Sequence, residues 1–568
     1  MWLGSPLAES PFGDIEVGEI SDVPFVAFLQ DSRQRGRFLI EVTATELESG
    51  YLGFPEDEPI GAMAFCEIPG GELTLGEATF RLSDGPWIGR PGDTLRPNTL
   101  YDARVISSAD IERTLPLSPE ANRRGETTVG EIQLANPDGA LDDFISNYSI
   151  GGRPVSVYLG PSRGVFSDFR LVAQMFGLGF ETDLNTVRLR VQSTAEYLKQ
   201  PFHTRRYSGL GGRDGDPEIA ERAVPVLYGE CYNVSPVLIN RDQWIYAVHD
   251  GPILAFDAIK ERGLPLDFNG TDAASWTALR ATTVDLGEYA TCNAEGMVKI
   301  GFGVGGPTGP VTCDVRGDKA SSIYSAQIGE ILLRLATNRA RMDITLLDQI
   351  GFGNLPTGDV GYYSSGDTEP TVADVYDAML RSINGWYGTK RNNVLRVGYV
   401  SPPERYTAGR SYDRHGAINL EEVPTEQPPR YEQTVTYAKN WTVMSEGDIS
   451  EALTSEERLR LQLGSSTLRK RSAEVRVRDL TAIIGDPIET FFVNEPDAQD
   501  VLDRVMALFR ESRRKFRMTT DRQGYLDDLQ AIVSLSYPRL GLSAGQNFLV
   551  AAVRDDGRRG RVELTLWG

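Results

Sequence analysis

Apolar residues that alternate with polar ones, cut at short intervals by glycine, proline and Asn/Asp turns, most restrict what this chain can fold into. In NTVRLRVQS, Val187, Leu189 and Val191 point one way and Arg188 and Arg190 the other, the period-two signature of a half-buried strand. From Val23 to about Leu198 the same reading covers PFVAFLQ, RFLIEVTATEL, ELTLGEATFRLSD, GEIQLANPDG, RPVSVYLG and VAQMFGLGFETD. That region reads as one antiparallel barrel or sandwich. In GEIQLANPDGALDDF, Asn136-Pro137-Asp138-Gly139 makes a turn, since Pro presets φ and Gly tolerates positive φ, and Leu141 and Phe144 sit at the spacing of a short helical turn. With 58 Gly and 32 Pro in 568 residues, above the usual combined share of about 12%, turns are frequent and short strands are favoured over long helices.

A chain of 568 residues exceeds one core, and roughly 100–200 residues per domain implies about three to five domains. The polar, Gly-rich segment FHTRRYSGLGGRDGDP (202–217) marks a first boundary. Beyond it VPVLYGECYNVSPVLI, WIYAVHDG, MVKIGFG and PVTCDVRG read as strands, with a short helix over Ile253–Glu261. Ile328, Ile331, Leu332 and Leu335 recur at helical spacing, as do Val372, Val375, Tyr376 and Met379, with Gly385 as a stop for the second run. EEVPTEQPPR (421–430) is a stiff Pro-rich linker. Alternation resumes in YEQTVTYAKNWTVM, AEVRVRDL, AIVSLSY, NFLVAAVRD and RVELTLWG. It is interrupted by one amphipathic helix, DAQDVLDRVMALFRESRRKFR, with Val501, Leu502, Val505, Leu508 and Phe509 on one stripe. The expected fold class is a β-rich α+β multidomain chain. Its regions are an N-terminal β-barrel or sandwich (1–205), a mixed β-rich middle domain (206–325), an α+β domain (326–425), and a C-terminal β-barrel with a helix insertion (426–568).

The formal net charge of −22 opposes a surface that grips nucleic acid or anionic lipid, because counterion release needs clustered Lys and Arg. No basic segment followed by an apolar core opens the sequence, and no apolar run of about 18 residues occurs, so neither a signal peptide nor a membrane-spanning helix is expected. Four cysteines, Cys66, Cys231, Cys292 and Cys313, make no disulfide framework at these spacings, which fits assembly in a reducing cytoplasm.

Three stretches resemble tail-tip proteins of long-tailed bacteriophages, of siphophage and gene-transfer-particle type. They are DTLRPNTLYDARV, GEIQLANPDGALDDF and GGRPVSVYLG within 82–160; PVLYGECYNVSPVLIN, IYAVHDGPI, NAEGMVKIGFG and TCDVRG within 224–317; and RYEQTVTYAKNWTV, YPRLGLSAGQNFLVAAV and VELTLWG near the C-terminus. The resemblance implies a non-enzymatic baseplate hub with two tail-tube-like barrels per subunit. A homotrimer of such subunits forms a pseudo-sixfold ring, joining the tail tube to a tip or fibre complex at the tail tip of the virion. Its implied partners are the distal tail or tail-tube, tape-measure and tip or fibre proteins, and DNA passes its acidic lumen without specific binding. The alternative is a distal-tail or receptor-contacting protein that binds carbohydrate, with Trp87, Trp244, Trp276 and Trp386 as sugar platforms.

Cys66, Cys231, Cys292 and Cys313 equal a full ligand set for an iron–sulfur cluster or zinc, but lack pairs spaced by two to four residues; buried structural thiols are the competing reading, and no cofactor is expected. A cysteine hydrolase needs Cys231 or Cys292 beside His249 or His415 with an orienting group, whereas YAVHDGP suits a structural histidine. GFGVGGPTGP (301–310) lacks the Lys-Ser/Thr ending of a phosphate loop and is expected to be a hairpin turn between Ile300 and Val311. Asp214, Asp216 and Glu218 alternate as in calcium loops but lack the closing bidentate Glu. The basic run 510–517 favours the C-terminal end of its helix dipole and is expected to meet an acidic neighbouring subunit.

Overall fold

The computed structural model describes residues 23–31, 34–46, 77–108, 110–121, 123–320, 323–424, 427–556 and 560–568. The chain is β-rich, with few helices.

The first eight-stranded sheet runs Glu77–Ser83, Gly36–Glu46, Pro154–Pro161, Arg170–Thr182, Thr186–Gln192, Ile132–Ala135 and Val105–Ser107, with Tyr148–Ser149 added beside Gly36–Glu46. Its pairs are antiparallel, for example Ile40 opposite Val157 and Val42 opposite Phe80. Period-two alternation sends Ile40, Val42 and Ala44 into the main core, while Leu39 enters an aromatic cluster with Trp87, Tyr101, Phe166 and Phe169. The sheet is therefore covered on both faces at this strand. Residues 102–104, which lead into Val105–Ser107, bond to the opposite edge strand and to Ile132–Ala135: Asp102 N–H donates to Arg81 O (2.9 Å), Ser83 N–H to Asp102 O (2.7 Å), and Ala135 N–H to Arg104 O (2.7 Å).

A second eight-stranded sheet runs Arg410–Tyr412, Ile532–Leu535, Gln546–Asp556, Arg561–Trp567, Lys515–Thr520 and Ile418–Val423. Ile111–Thr114 extends it by pairing with Gln546–Asp556, Ala552 lying opposite Thr114, and Thr127–Val129 pairs in turn with Ile111–Thr114. Strands from early in the chain thus complete a sheet built mostly from its end. One apolar cluster includes Phe25, Val157, Leu332, Tyr376, Val505 and Trp567. Each fully buried large side chain in it contributes about 1.5–3 kcal/mol.

Between these sheets lie two five-stranded ones. Leu264–Pro265, Ile253–Glu261, Val311–Asp318, Val226–Val234 and Gly361–Ser364 form one; Val237–Asn240, Ile245–Ala247, Met297–Ile300, Glu288–Cys292 and Asp267–Asp272 form the other. Gly229 lies opposite Gly361. Their backbones approach so closely that a Cβ on Gly229 (φ +67°) would sit 1.9 Å from Val360 O, and one on Gly361 1.8 Å from Glu230 O.

The helices expected from periodicity form at Ile328–Arg334, Val372–Arg381 and Glu495–Phe509. The last buries Val501, Leu502, Val505, Leu508 and Phe509 and packs on Arg430–Tyr437 and Ser466–Arg471. Asp142–Asn147 is a short helix that buries Phe144.

Five expectations are corrected. PFVAFLQ is a helix, Val23–Gln30, because Phe25, Phe28 and Leu29 are its buried residues at helical spacing. Ile253–Glu261 is a strand: a bulge between Phe256 and Ala258 shifts the alternation, so Ile253, Phe256 and Ile259 mimic a helical period. AEVRVRDL contains the helix Ala473–Arg478, whose N-terminus is capped by Ser472 accepting from Val475 N–H. The Val372–Arg381 helix stops before Gly385, which begins the strand Gly385–Thr389 after Asn384 turns through φ +52°. Finally, 301–310 is no hairpin, since Met297–Ile300 and Val311–Asp318 belong to different sheets and the Gly-rich loop carries the chain between them. Of the Pro-rich segment, Glu421–Val423 is already strand, in Ile418–Val423.

Candidate functional site

The cysteines do not converge on a ligand set. Cys231 and Cys313 lie on neighbouring strands, Cys231 opposite Val315 and Cys313 opposite Val234, inside one apolar cluster; Cys292 belongs to another. All three are buried free thiols. Burial pushes the Cys231 and Cys313 thiols well above their ordinary range, and Cys292 up to about 11, so none is a thiolate at neutral pH. Cys66 lies outside the described residues. Among the described residues, no group of three or more His, Cys, Asp and Glu is placed to hold a metal.

His249 is buried, accepts at Nδ1 from Leu227 N–H (3.0 Å), and faces Asp318 (3.5 Å) and Asp250 (3.7 Å) through Nε2. The accepted bond fixes the proton of the neutral ring on Nε2, toward the carboxylates. Asp250 in turn takes a bidentate grip from Arg339 (2.5 and 2.7 Å), and Asp318 binds Arg334 (2.9 Å). Burial raises both carboxyls, but Arg339 offsets it at Asp250, and His249 with Arg334 offsets it at Asp318, leaving both below the usual range. This is a structural network, built from main-chain, carboxylate and guanidinium contacts. His415 is exposed, and its N–H closes a turn on Asp413 (2.8 Å).

The other candidates are held by neighbours. Asp216 accepts from Arg241 N–H (2.8 Å) and Glu218 pairs with the Arg241 guanidinium (3.2 Å); Asp214 ends a short 3₁₀ turn, Gly212–Asp214. Trp87 and Trp386 are buried, so neither can stack on a sugar. Trp244 packs edge-on to Phe302 (5.9 Å) and lies under Gly306, where a Cβ would come within 2.3 Å of its ring. Trp276 is half-buried at the start of the helix Trp276–Ala281.

The basic run meets acids of its own chain. Arg513 grips Glu404 (2.7 and 2.9 Å), Arg514 grips Glu422 (2.8 and 2.9 Å), and Arg517 reaches Glu421 (3.1 Å). The helix ends at Phe509, so these arginines fasten Lys515–Thr520 and what precedes it rather than line a helix face.

Sequence reasoning missed the buried ionic junction where three parts of the chain meet. Arg113 donates to Asp528 (2.6 Å), Arg391 to Asp555, Arg410 to Asp527 (3.1 Å), and the Tyr412 hydroxyl to Asp527. Arg391 also lies over the Tyr525 ring (5.2 Å). Burial pushes Asp527 up despite Arg410, whereas at Asp528 the Arg113 and Arg391 charges outweigh burial and leave it low. Arg113 and Arg410 are single arginines within short strands and Arg391 lies in a turn, and none carries a local signal of such pairing. Chemically this arrangement clamps chain segments together.

No family model matches the chain, and no curated protein does. Among solved structures it is similar to a chain of the virion of the native gene transfer agent particle, at 13% identity and a TM-score of 0.39, over 61% of this chain and 84% of that one. It is also similar to the tail protein from Neisseria meningitidis MC58 (10% identity, TM-score 0.37, 82% and 95% covered). A third is the 43 kDa tail protein of prophage MuSo2 from Shewanella oneidensis (10% identity, TM-score 0.31, 83% and 95% covered).

Proposed function

We propose that this chain is a structural, non-enzymatic hub of a bacteriophage tail tip, three copies of which form a ring between the tail tube and the tip or fibre complex. The observation that carries the reading is the cross-pairing of Ile111–Thr114 with Gln546–Asp556. It anchors in the second eight-stranded sheet, by main-chain bonds, a segment that follows the first sheet's strand Val105–Ser107 in the chain, reinforced by the junction of Arg113 and Arg391 with Asp528 and Asp555. A part that transmits force needs such anchoring, because strands joined by a hydrogen-bond ladder separate only when several bonds break together. In this proposal each eight-stranded sheet closes as a barrel, the first through the bonds of Asp102 to Glu77–Ser83 and of Arg104 to Ile132–Ala135, and the four regions 1–205, 206–325, 326–425 and 426–568 are its domains. A net charge of −22 suits a lumen past which DNA slides without adhering. Other tail proteins are its partners, and the virion's tail tip its location after assembly in the host cytoplasm.

The carbohydrate-binding alternative loses two of its four platforms to the core, Trp87 and Trp386.

The test is mass spectrometry of purified particles together with a density map of their tails. The expected result is this chain in a threefold collar at the tail tip. Its absence from mature particles, or its placement outside the tail, overturns the reading.

A further inference from the structure

Asn-Gly occurs twice in this chain, at Asn269-Gly270 and Asn384-Gly385. Asparagine before glycine can close a ring on itself, because the next main-chain nitrogen lies within reach of the side-chain Cγ and glycine puts no Cβ beside it. Closure also requires a backbone free to turn, and here the fold treats the two pairs in opposite ways.

Asn384-Gly385 is locked. Asn384 is 1% exposed, its Oδ1 accepts from Arg123 Nη1 (3.1 Å), and its main-chain carbonyl accepts from Val400 N–H (3.3 Å). Gly385 pairs with Tyr399 and is hemmed in, since a Cβ there would meet Leu380 at 2.9 Å and Gly398 O at 3.0 Å.

Asn269-Gly270 lies in Asp267–Asp272, at the edge of its five-stranded sheet. Phe268 stands opposite Tyr289 and Asp272 opposite Thr291, so residues 269–271 bulge out against Ala290 alone. Gly270 is exposed, holds φ +84°, and has open space where a Cβ would stand. The Asn269 side chain makes two contacts. Its Nδ2 reaches Thr283 O at 3.5 Å, long for an N–H donor, and its Oδ1 accepts from Thr271 N–H at 2.9 Å. The second contact favours attack on Cγ: Oδ1 takes up negative charge as that carbon becomes tetrahedral, and a main-chain donor at this distance holds the charge.

We propose that Asn269 is a modification site, where the Gly270 nitrogen displaces the side-chain amide and water completes a deamidation. The main-chain nitrogen of Gly270 gives up its proton and bonds to Asn269 Cγ; the Cγ–Nδ2 bond breaks, and Nδ2 leaves as ammonia with that proton. Water then opens the cyclic imide. Addition at Cγ yields aspartate, and addition at the main-chain carbonyl yields isoaspartate, which adds a methylene to the backbone. Either product puts a carboxylate between Asp267 and Asp272 and turns the donor that faced Thr283 O into a repelling oxygen. The parallel pairing of Asp267–Asp272 with Glu288–Cys292 should loosen in consequence, and amide exchange there should rise. This chemistry would run whether or not the chain sits in a tail.

The experiment incubates the full folded chain at neutral pH and digests samples at intervals. Mass spectrometry follows the replacement of NH2 by OH at positions 269 and 384, and chromatography separates the aspartate peptide from its isoaspartate isomer. Position 269 should convert to both isomers. Position 384 should convert at least about a hundredfold more slowly, because it must wait for the fold to open. In urea the two rates should converge, and Asn269→Gln should abolish the conversion at 269. The proposal is overturned if Asn269 stays intact in the folded chain, if both positions convert there at equal rates, or if position 269 gives aspartate without isoaspartate, which would mean direct hydrolysis without the ring.

Discussion

Arg391 donates to Asp555 from 164 residues away in sequence, and both groups are largely withdrawn from water. Arg113 stands beside them, fully buried, with Asp528 as its hydrogen-bonded partner and Asp555 4.0 Å from its second amino group. Removing one member of such a set leaves the others charged and dry. Coulomb attraction that had offset their desolvation is then lost.

Asp555→Asn or Arg391→Ala should therefore destabilise the protein by about 3–5 kcal/mol, read as a shift of the urea midpoint. Replacing Arg188, a half-buried strand residue whose nearest acid is Glu131 at 3.5 Å, should cost under about 1 kcal/mol. Equal effects at the two positions would mean that the junction does not clamp the fold.

The ladder that joins Ile111–Thr114 to Gln546–Asp556 is continued by a bond from Leu115 N–H to Ala551 O (2.7 Å). Leu115→Pro removes that donor. Amide exchange should accelerate around 111–115 and 550–556, while the distant strand Val226–Val234 keeps its protection. Uniform acceleration along the chain would instead indicate global unfolding.

Gly229 and Gly361 approach each other's neighbouring carbonyls too closely for any side chain. Gly361→Ala should cost at least about 2 kcal/mol by forcing the strands apart, and Gly229→Ala somewhat more, because its φ of +67° is also strained for alanine. Gly447, beside whose Cβ position there is open space, should accept alanine with little change in melting temperature.

Asp250 and Asp318 have native pKa values below their unfolded ones, burial being outweighed by Arg339 at the first and by His249 with Arg334 at the second. The unfolded chain thus binds protons more readily there, and the stabilisation is complete above the ordinary carboxylate range near about pH 4. It should disappear as pH falls through the lower native values. Arg339→Met should flatten this acid limb of the stability curve, measured by thermal melts between about pH 6 and pH 3.

Cys231, Cys292 and Cys313 should resist alkylation at neutral pH in the folded protein and react when it is unfolded, since each is buried and its thiol raised. Peptide mapping after iodoacetamide treatment reads each site separately. Rapid labelling of Cys313 in the native protein would contradict its placement in the core.

Much of this architecture can be read from neighbouring residues alone. Val187, Leu189 and Val191 alternate with arginines and form the strand Thr186–Gln192; Val501, Leu502, Val505, Leu508 and Phe509 keep a helical stripe and form the helix Glu495–Phe509. In both, the side-chain period is set by the local backbone, so it is written within a few residues. Where a tertiary partner changes the period, the reading fails. The bulge after Phe256 gives Ile253–Glu261 a helical spacing in a strand, and the packing of Phe25 and Phe28 makes a helix of a segment that looks alternating. The candidate sites divide in the same way: sequence supplies the cysteines, histidines and arginines, and the tertiary structure alone determines that Cys231 and Cys313 share one apolar cluster and Cys292 lies in another, while Arg113, Arg391, Asp528 and Asp555 meet. Periodicity specifies which face of an element is buried, but not which distant strand covers it, because that choice depends on registers and charges hundreds of residues apart.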